Sequence, residues 1–150
     1  WQWRPDLIWF DNLRSFRSCS WYVQKLYSQY KGTHNLSLTD EYGVNVSGAD
    51  GQNGLFASSV YDAGNGQIYV KVINVSDKVQ PVSISFEGLK KKEVLSGVKS
   101  VSFHSDDHDA ENTLDEPQKI VPVECPLDFE GRVLETTVAP KTFMVYALQK

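Results

Sequence analysis

Apolar and polar residues alternate along most of the chain from Thr33 to its end. A period of two is the pattern of β-strands that bury one face, and turn residues separate the segments that carry it. The predicted strands lie near residues 33–38, 54–62, 67–76, 80–88, 93–104, 119–125, 131–138 and 141–148. Such a series of short strands predicts a mainly β fold, an antiparallel β-sandwich or jelly roll.

Two of these segments indicate how the strands face a core. In VSISFEGL, the apolar residues Val82, Ile84 and Phe86 share one side of the predicted strand and are expected to point inward. In QIYVKVINV, both sides carry apolar residues, which indicates a strand that is covered on both faces. Between the second and third strands, residues 62–66 contain Gly and Asn residues that tolerate positive φ, so we expect a hairpin there.

The first thirty-two residues have a different pattern and carry half of the aromatic residues. Residues 18–32 predict one helix, which Ser18 or Ser20 can cap and Gly32 can end. Its apolar stripe comprises Tyr22, Val23, Leu26, Tyr27 and Tyr30. Before it, the apolar run at residues 7–10 is expected to be extended. The chain is therefore expected to divide into an N-terminal aromatic segment and helix at residues 1–32 and a β-sandwich domain at residues 33–150.

The composition indicates which kinds of partner the chain is not expected to bind. The 150 residues are 41% hydrophobic, enough for a core, and the formal net charge is -4. Nucleic-acid-binding domains usually present a basic face, so we expect no nucleic-acid partner. The sequence has no apolar run of membrane-spanning length, so we expect no membrane partner. It opens without Met or a signal-like run, and we expect it to be a piece of a longer polypeptide.

One polar loop resembles a metal site at first sight. It contains the oxygen and nitrogen ligands His104, Asp106, Asp107, His108, Asp109 and Glu111. Their spacing fits no ligand template, including that of the EF-hand, so the sequence predicts a solvated loop and no metal. Cys19 and Cys125 lack the spacing of a metal or redox pair, and we expect free, partly buried thiols.

The sequence gives little support for catalytic residues in this chain. A glycosidase needs two carboxylates that face each other across the scissile bond. The pairs Asp40 and Glu41, and Asp115 and Glu116, are adjacent in polar turns, where neighbouring side chains point apart and little burial raises a carboxyl pKa. No Gly-x-Ser-x-Gly motif is present. We therefore expect no catalytic residue and no cofactor in this chain.

Five segments together resemble the C-terminal end of α-L-arabinofuranosidases of glycoside hydrolase family 51. They are WRPDLIWFDN, SWYVQKLYSQYKG, GLFASSVYD, DAENTLDEPQKIVPVE and APKTFMVYAL. Matches to the family's motifs fall at Trp3, Pro5 and Asp6, at Tyr22, Val23 and Gln24, and at Glu111, Asn112, Thr113, Pro117, Lys119 and Val121. The resemblance covers essentially the whole chain.

The resemblance implies a retaining exo-glycosidase in which a (β/α)8 barrel precedes a jelly-roll domain. Both catalytic glutamates lie on barrel strands outside this chain, so the chain alone is expected to be inactive. Residues 1–32 are expected to be the end of that barrel, and Trp3 and Asn12 are expected to border the sugar subsite of the complete enzyme. The expected partners are the barrel of the same polypeptide and an arabinose-containing polysaccharide.

The resemblance also implies that a short segment from the start of the polypeptide completes the sandwich. Without it, the chain is expected to self-associate through an unpaired strand edge. Two other functions remain open. An arabinan- or arabinoxylan-binding module would use exposed aromatics such as Tyr42, Phe56, Tyr61 or Tyr69, and an enzyme in its own right would use the carboxylates above.

Overall fold

The computed structural model describes residues 7–40, 42–43, 53–107 and 109–150. Every predicted strand has a counterpart. The elements are β1 (Ile8–Phe10), β2 (Ser15–Arg17), α1 (Cys19–Gln29), β3 (His34–Leu36), β4 (Leu55–Asp62), β5 (Gln67–Asn74), β6 (Gln80–Ser85), β7 (Leu95–His104), β8 (Val123–Pro126), β9 (Glu130–Gly131), β10 (Val133–Val138) and β11 (Thr142–Gln149). No described helix has the length and apolar character needed to cross a bilayer.

The strands form an antiparallel β-sandwich, as predicted. Within the described ranges, the larger sheet has seven strands in the order β3-β4-β5-β11-β7-β8, with β9 paired to β7, and the smaller sheet pairs β6 with β10. A separate two-stranded ribbon pairs β1 with β2, so the apolar run at residues 7–10 is extended as expected. The chain thus places a wide sheet against a narrow one, with a ribbon and a helix before them.

The first core lies between the two sheets. The large sheet contributes Val70, Val72, Tyr146 and Leu148, and β10 contributes Val138, each at most 2% exposed. The predicted inward face of VSISFEGL is confirmed, because Val82, Ile84 and Phe86 pack against this cluster. Burying an aliphatic or aromatic side chain of this size contributes about 1.5–3 kcal/mol, so this cluster is a main source of stability.

The second core lies on the opposite face of the large sheet, under α1. Leu26 and Tyr30 of the helix pack there against Tyr69 of β5 and Phe143 and Val145 of β11. This arrangement explains the two apolar faces of QIYVKVINV, because one face meets β6 and β10 and the other meets the helix.

Both ends of the helix can be compared with the sequence. The Trp21 amide donates to the Ser18 side chain at 3.3 Å, which confirms Ser18 as the N-cap. The helix ends at Gln29 with Tyr30 as its C-cap, so the prediction that Gly32 ends it is wrong. Gly32 instead lies against β4, where a Cβ atom would come within 2.6 Å of the Tyr61 carbonyl oxygen.

The hairpin predicted at residues 62–66 is confirmed. The Gly66 amide donates to the Asp62 carbonyl at 2.8 Å, and the Gly64 amide donates to the Asp62 carboxylate at 2.9 Å. Gly66 has a φ of 73°, a conformation that glycine adopts without steric cost. The turn therefore sets the register between β4 and β5.

Both cysteines are free. Cys19 is half-buried at the start of α1, and burial raises the pKa of its thiol. Cys125 is exposed, so the expectation of partial burial is wrong for this residue. The reason is its position on β8, the last strand of the large sheet, all of whose residues are exposed.

Candidate functional site

The most unusual surface of the molecule is the ribbon of β1 and β2 that precedes the helix. Its turn is closed by Asp11, whose carboxylate accepts the amides of Leu13 at 2.8 Å and Arg14 at 2.7 Å. These two backbone donors, more than any other group, lower the pKa of Asp11. The Arg14 guanidinium pairs with Asp11 at 3.1 Å and with Asp115 at 2.7 Å, which joins the turn to the loop after β7.

Large apolar side chains project from this ribbon into solvent. Phe10 is 81% exposed, Leu13 is 94% exposed and Ile8 is 48% exposed. Trp9 and Phe16, on the other face of the ribbon, are half-buried and stack with ring centroids 6.2 Å apart. An exposed cluster of this size usually marks a surface that another body covers.

The two residues that the sequence places near a sugar subsite belong to this region. Asn12 is exposed in the turn of the ribbon, directly beside Leu13. Trp3 lies outside the described residues. Their predicted contact with substrate therefore stays a prediction.

Helix α1 continues the ribbon with a cationic and aromatic surface. The Arg17 guanidinium lies over the Trp21 ring at 4.6 Å, and the Lys25 ammonium lies over the same ring at 5.3 Å. The ring of Tyr22 meets Trp21 edge to face at 5.0 Å. Trp21 therefore packs as the sequence predicts, and it also holds two cations at the surface.

Asn112 holds the ribbon to the sandwich. It is 2% exposed; its amide group donates to the Arg17 carbonyl at 3.0 Å and to the Ile120 carbonyl at 2.9 Å. Its oxygen accepts the Ile120 amide at 2.7 Å. The sequence did not predict this structural role. The signal available was an Asn in the segment DAENTLDEPQKIVPVE, and only the tertiary structure shows what it contacts.

The acidic loop after β7 contains the residues that resemble a metal site in the sequence. Its clearest contact is His104 with Asp106 at 2.8 Å, and His108 lies outside the described residues. Among the residues that are described, no group of three or more His, Cys, Asp or Glu side chains is placed to hold a metal ion.

Asp115 and Glu116 are not arranged as a catalytic pair. Asp115 and Glu116 bind different cations, Arg14 at 2.7 Å and Lys119 at 3.5 Å. Glu41, the neighbour of Asp40, lies outside the described residues. These contacts are ordinary surface ion pairs, which contribute little to stability.

The aromatics expected to form a sugar-binding face do not lie together. Tyr69 is 5% exposed and belongs to the core under the helix, whereas Tyr61 packs against the core between the sheets. Phe56 is half-buried, and Tyr42 is 81% exposed in a turn. The binding-module alternative therefore lacks the shared exposed platform that it requires.

Fold and surface together define an antiparallel β-sandwich domain with an exposed apolar ribbon beside one helix. The sequence model of the alpha-L-arabinofuranosidase C-terminal domain family matches residues 2–141. The chain belongs to this family, and the predicted relation to glycoside hydrolase family 51 is confirmed.

Two characterised relatives are similar over much of the chain. Alpha-L-arabinofuranosidase 1 of Arabidopsis thaliana is 25% identical over 99% of this chain, which spans 21% of that protein. The extracellular exo-alpha-L-arabinofuranosidase of Streptomyces chartreusis is 31% identical over 75% of this chain and 14% of its own length. The chain thus spans about a fifth or less of the length of these two relatives.

Solved structures show the same fold. An arabinose-bound MgGH51 α-L-arabinofuranosidase matches with a TM-score of 0.80 and 21% identity, over 99% of this chain and 22% of that one. The α-L-arabinofuranosidase of Thermotoga maritima, in its arabinose complex, matches with a TM-score of 0.72 and 15% identity, over 93% of this chain and 30% of that one.

Proposed function

We propose that this chain is a non-catalytic accessory domain of an α-L-arabinofuranosidase. The complete enzyme would release terminal α-L-arabinofuranosyl residues from arabinose-containing polysaccharides, and its catalytic glutamates would lie outside these 150 residues. In this proposal residues 1–32 are the end of the catalytic barrel and residues 33–150 are the sandwich that supports it. Family membership and the names of the two relatives support the assignment.

The observation that carries the structural role is the exposed ribbon. Phe10 and Leu13 are almost fully exposed beside a helix whose buried face is bound to the large sheet. Burying two such side chains against another domain would contribute about 1.5–3 kcal/mol each. The helix packs on the sandwich, whereas the ribbon is exposed. In this proposal, the segment that contains both therefore connects the sandwich to the catalytic barrel.

The proposal is tested by deleting residues 33–150 from the complete enzyme. Removal exposes Leu26 and Tyr30 of the helix, so we expect the thermal midpoint of the remaining barrel to fall by several degrees. Arabinofuranosidase activity of the intact and shortened enzymes at a low temperature is the companion measurement. A barrel whose midpoint is unchanged by the deletion contradicts an accessory role.

Trp3 and Asn12 are proposed to border the sugar subsite of the complete enzyme. Their support is the family resemblance, together with the exposed position of Asn12 in the ribbon turn. The test is the double variant Trp3→Ala, Asn12→Ala, which we expect to have a raised KM for an arabinofuranoside. Full activity with an unchanged KM removes both residues from the site.

The isolated chain is proposed to self-associate through the smaller sheet. That sheet has two strands, and within the described residues neither outer edge is paired. β6 carries Pro81, which has no amide to donate, whereas β10 has no proline and offers the better edge. We expect elution volume to fall as the loading concentration rises. Monomeric elution at millimolar concentration contradicts this proposal.

A further inference from the structure

We propose that the β-sandwich carries a basic patch that binds the carboxylates of a polysaccharide containing uronic acids. The basic patch comprises Lys90, Lys91, Lys92 and Arg132. These residues lie in the connections that follow β6 and β9, so no part of the patch belongs to residues 1–32. The inference rests on the proposed function for its choice of a polysaccharide as partner, and it adds that this partner is negatively charged.

A tight turn presents the lysines between β6 and β7. The Glu93 amide donates to the Lys90 carbonyl at 2.9 Å, and the Lys90 amide donates to the Glu93 carboxylate at 3.0 Å. Lys91 and Lys92 are therefore the tip of the turn, and both are exposed. The Arg132 guanidinium donates to the Lys90 carbonyl and, at 3.0 Å, to the Glu93 carbonyl, which fixes the turn to the segment between β9 and β10.

The single carboxylate of this turn already has partners. Glu93 accepts the Lys90 amide, and the Lys150 ammonium lies 3.4 Å from its other oxygen. The Lys90 amide, followed by the charges of Lys150 and Lys90, lowers the pKa of Glu93. Glu93 is thus held against Lys90 and Lys150, and it does not balance the charges at the tip of the turn.

The remaining cations of the patch are not neutralised by the described parts of the chain. Within these parts, Lys91 and Lys92 form no ion pair, and Arg132 contacts carbonyls and not a carboxylate. The nearest acidic residues in sequence outside the turn are Glu87 and Glu130, and the patch keeps a net positive charge when both are counted. A local positive region on a chain of net charge -4 attracts anionic ligands.

A polysaccharide fits this patch better than a protein surface does. Lys side chains are flexible, strongly hydrated point charges, and they are depleted from the packed centres of protein interfaces. An acidic polysaccharide repeats its carboxylates along one chain, so several weak ion pairs form with the same molecule and add to one another. The exposed tip at Lys91 and Lys92 lets such a chain pass across it without a closed pocket.

A membrane surface fits less well. Stable attachment to a bilayer needs a second anchor besides a basic cluster, such as large apolar side chains that enter the lipid. The large apolar residues beside the turn, Phe86 and Leu89, instead pack against the core between the sheets. The basic patch therefore offers charge without an apolar anchor.

Binding of the complete enzyme to polygalacturonate tests the patch. The measurement is retardation in native gels that contain the polymer, relative to gels without it. We expect Lys91→Gln, Lys92→Gln to raise the Kd about fivefold, because two exposed ion pairs are lost. The matched control is Lys31→Gln, Lys78→Gln, which removes the same charge from two exposed lysines elsewhere and should leave the Kd within about twofold of the natural value.

Two further conditions test the chemistry of recognition. Polygalacturonate whose carboxylates have been reduced to alcohols keeps the sugar chain and loses its charge, so we expect it not to retard the enzyme. In about 1 M salt, binding to the untreated polymer should also be lost, since the Debye length falls to about 3 Å.

Three outcomes overturn the patch: equal Kd values for the two double variants, equal retardation by the reduced polymer, or tighter binding through Lys91 and Lys92 to phosphatidylserine vesicles than to polygalacturonate. Arabinofuranosidase assays separate this inference from the proposed function. If the complete enzyme releases arabinose while the double variants bind alike, the patch fails and the proposed function stands. If it releases none while Lys91→Gln, Lys92→Gln weakens binding, the proposed function fails and the patch stands.

Discussion

Asn112 shows how much one buried polar residue contributes to this molecule. It satisfies the Arg17 and Ile120 carbonyls and the Ile120 amide. Asn112→Ala leaves the two buried Ile120 groups and the part-buried Arg17 carbonyl without their partner. We expect it to cost about 2–4 kcal/mol, because each unsatisfied buried group costs about 1–3 kcal/mol. The measurement is the free energy of unfolding in urea.

The control for Asn112 is Asn35→Ala. Asn35 is exposed on β3, and its replacement should change the free energy of unfolding by less than about 0.5 kcal/mol. Asn112→Asp keeps an acceptor for the Ile120 amide but places a carboxylate beside two carbonyls, so we also expect it to be destabilising. An Asn112→Ala variant as stable as the Asn35→Ala control would show that the three hydrogen bonds are not needed.

Lys71 is a buried cation whose effect depends on pH. It is 3% exposed, and its ammonium donates to the Tyr30 carbonyl at 2.7 Å and lies 5.4 Å from the Tyr27 ring. Burial lowers the pKa of Lys71. Between this lowered pKa and the unfolded value of about 10.4, the unfolded chain binds more protons, so stability rises with pH.

We therefore expect the unfolding free energy of the natural chain, minus that of Lys71→Met, to increase as pH rises from 7 to 10. Other titrating groups are common to both proteins and cancel in the difference. Urea unfolding of both proteins at several pH values is the measurement. A difference that stays constant across this range would mean that Lys71 keeps an ordinary pKa in the folded protein.

At the scale of elements, the start of the helix is the clearest local feature. Ser18 accepts the Trp21 amide, and its hydroxyl donates to the Leu7 carbonyl at 3.1 Å. Ser18→Ala should cost about 1 kcal/mol, the usual contribution of an N-cap. Ser20→Ala, which replaces the other serine able to cap by sequence, should have little effect. Equal losses in the thermal midpoint for the two variants would contradict the assignment of the cap.

The elements differ in how well local sequence predicts them. The N-cap, the turn at residues 62–66 and the inward face of β6 are local features, and all three match the structure. The C-terminal end of the helix does not match its local prediction. The carbonyl of its C-cap, Tyr30, accepts a hydrogen bond from Lys71, which is forty-one residues away in sequence, so no local pattern predicts this contact. Gly32 is needed for close contact with β4, which no local pattern reveals.

At the scale of the whole molecule, the two sheets are unequal. Among the described residues, seven strands face two, and every residue of β8, including Cys125, is exposed. Strand periodicity predicts that a residue faces one side or the other, but not how many strands cover that side. The exposure of Cys125 therefore could not be predicted from the alternation of its own strand.

The sequence by itself determined the approximate strand positions, the start of the helix, the sandwich and the family. Alternation, capping and turn residues act over a few positions, and motifs are read without a structure. Only the tertiary structure decided which distant residues hold the ribbon of β1 and β2 to the sandwich. Arg17 and Asn112 lie ninety-five positions apart, and Arg14 and Asp115 one hundred and one. Such contacts depend on the path of the whole backbone. That path is set by packing on both faces of the large sheet.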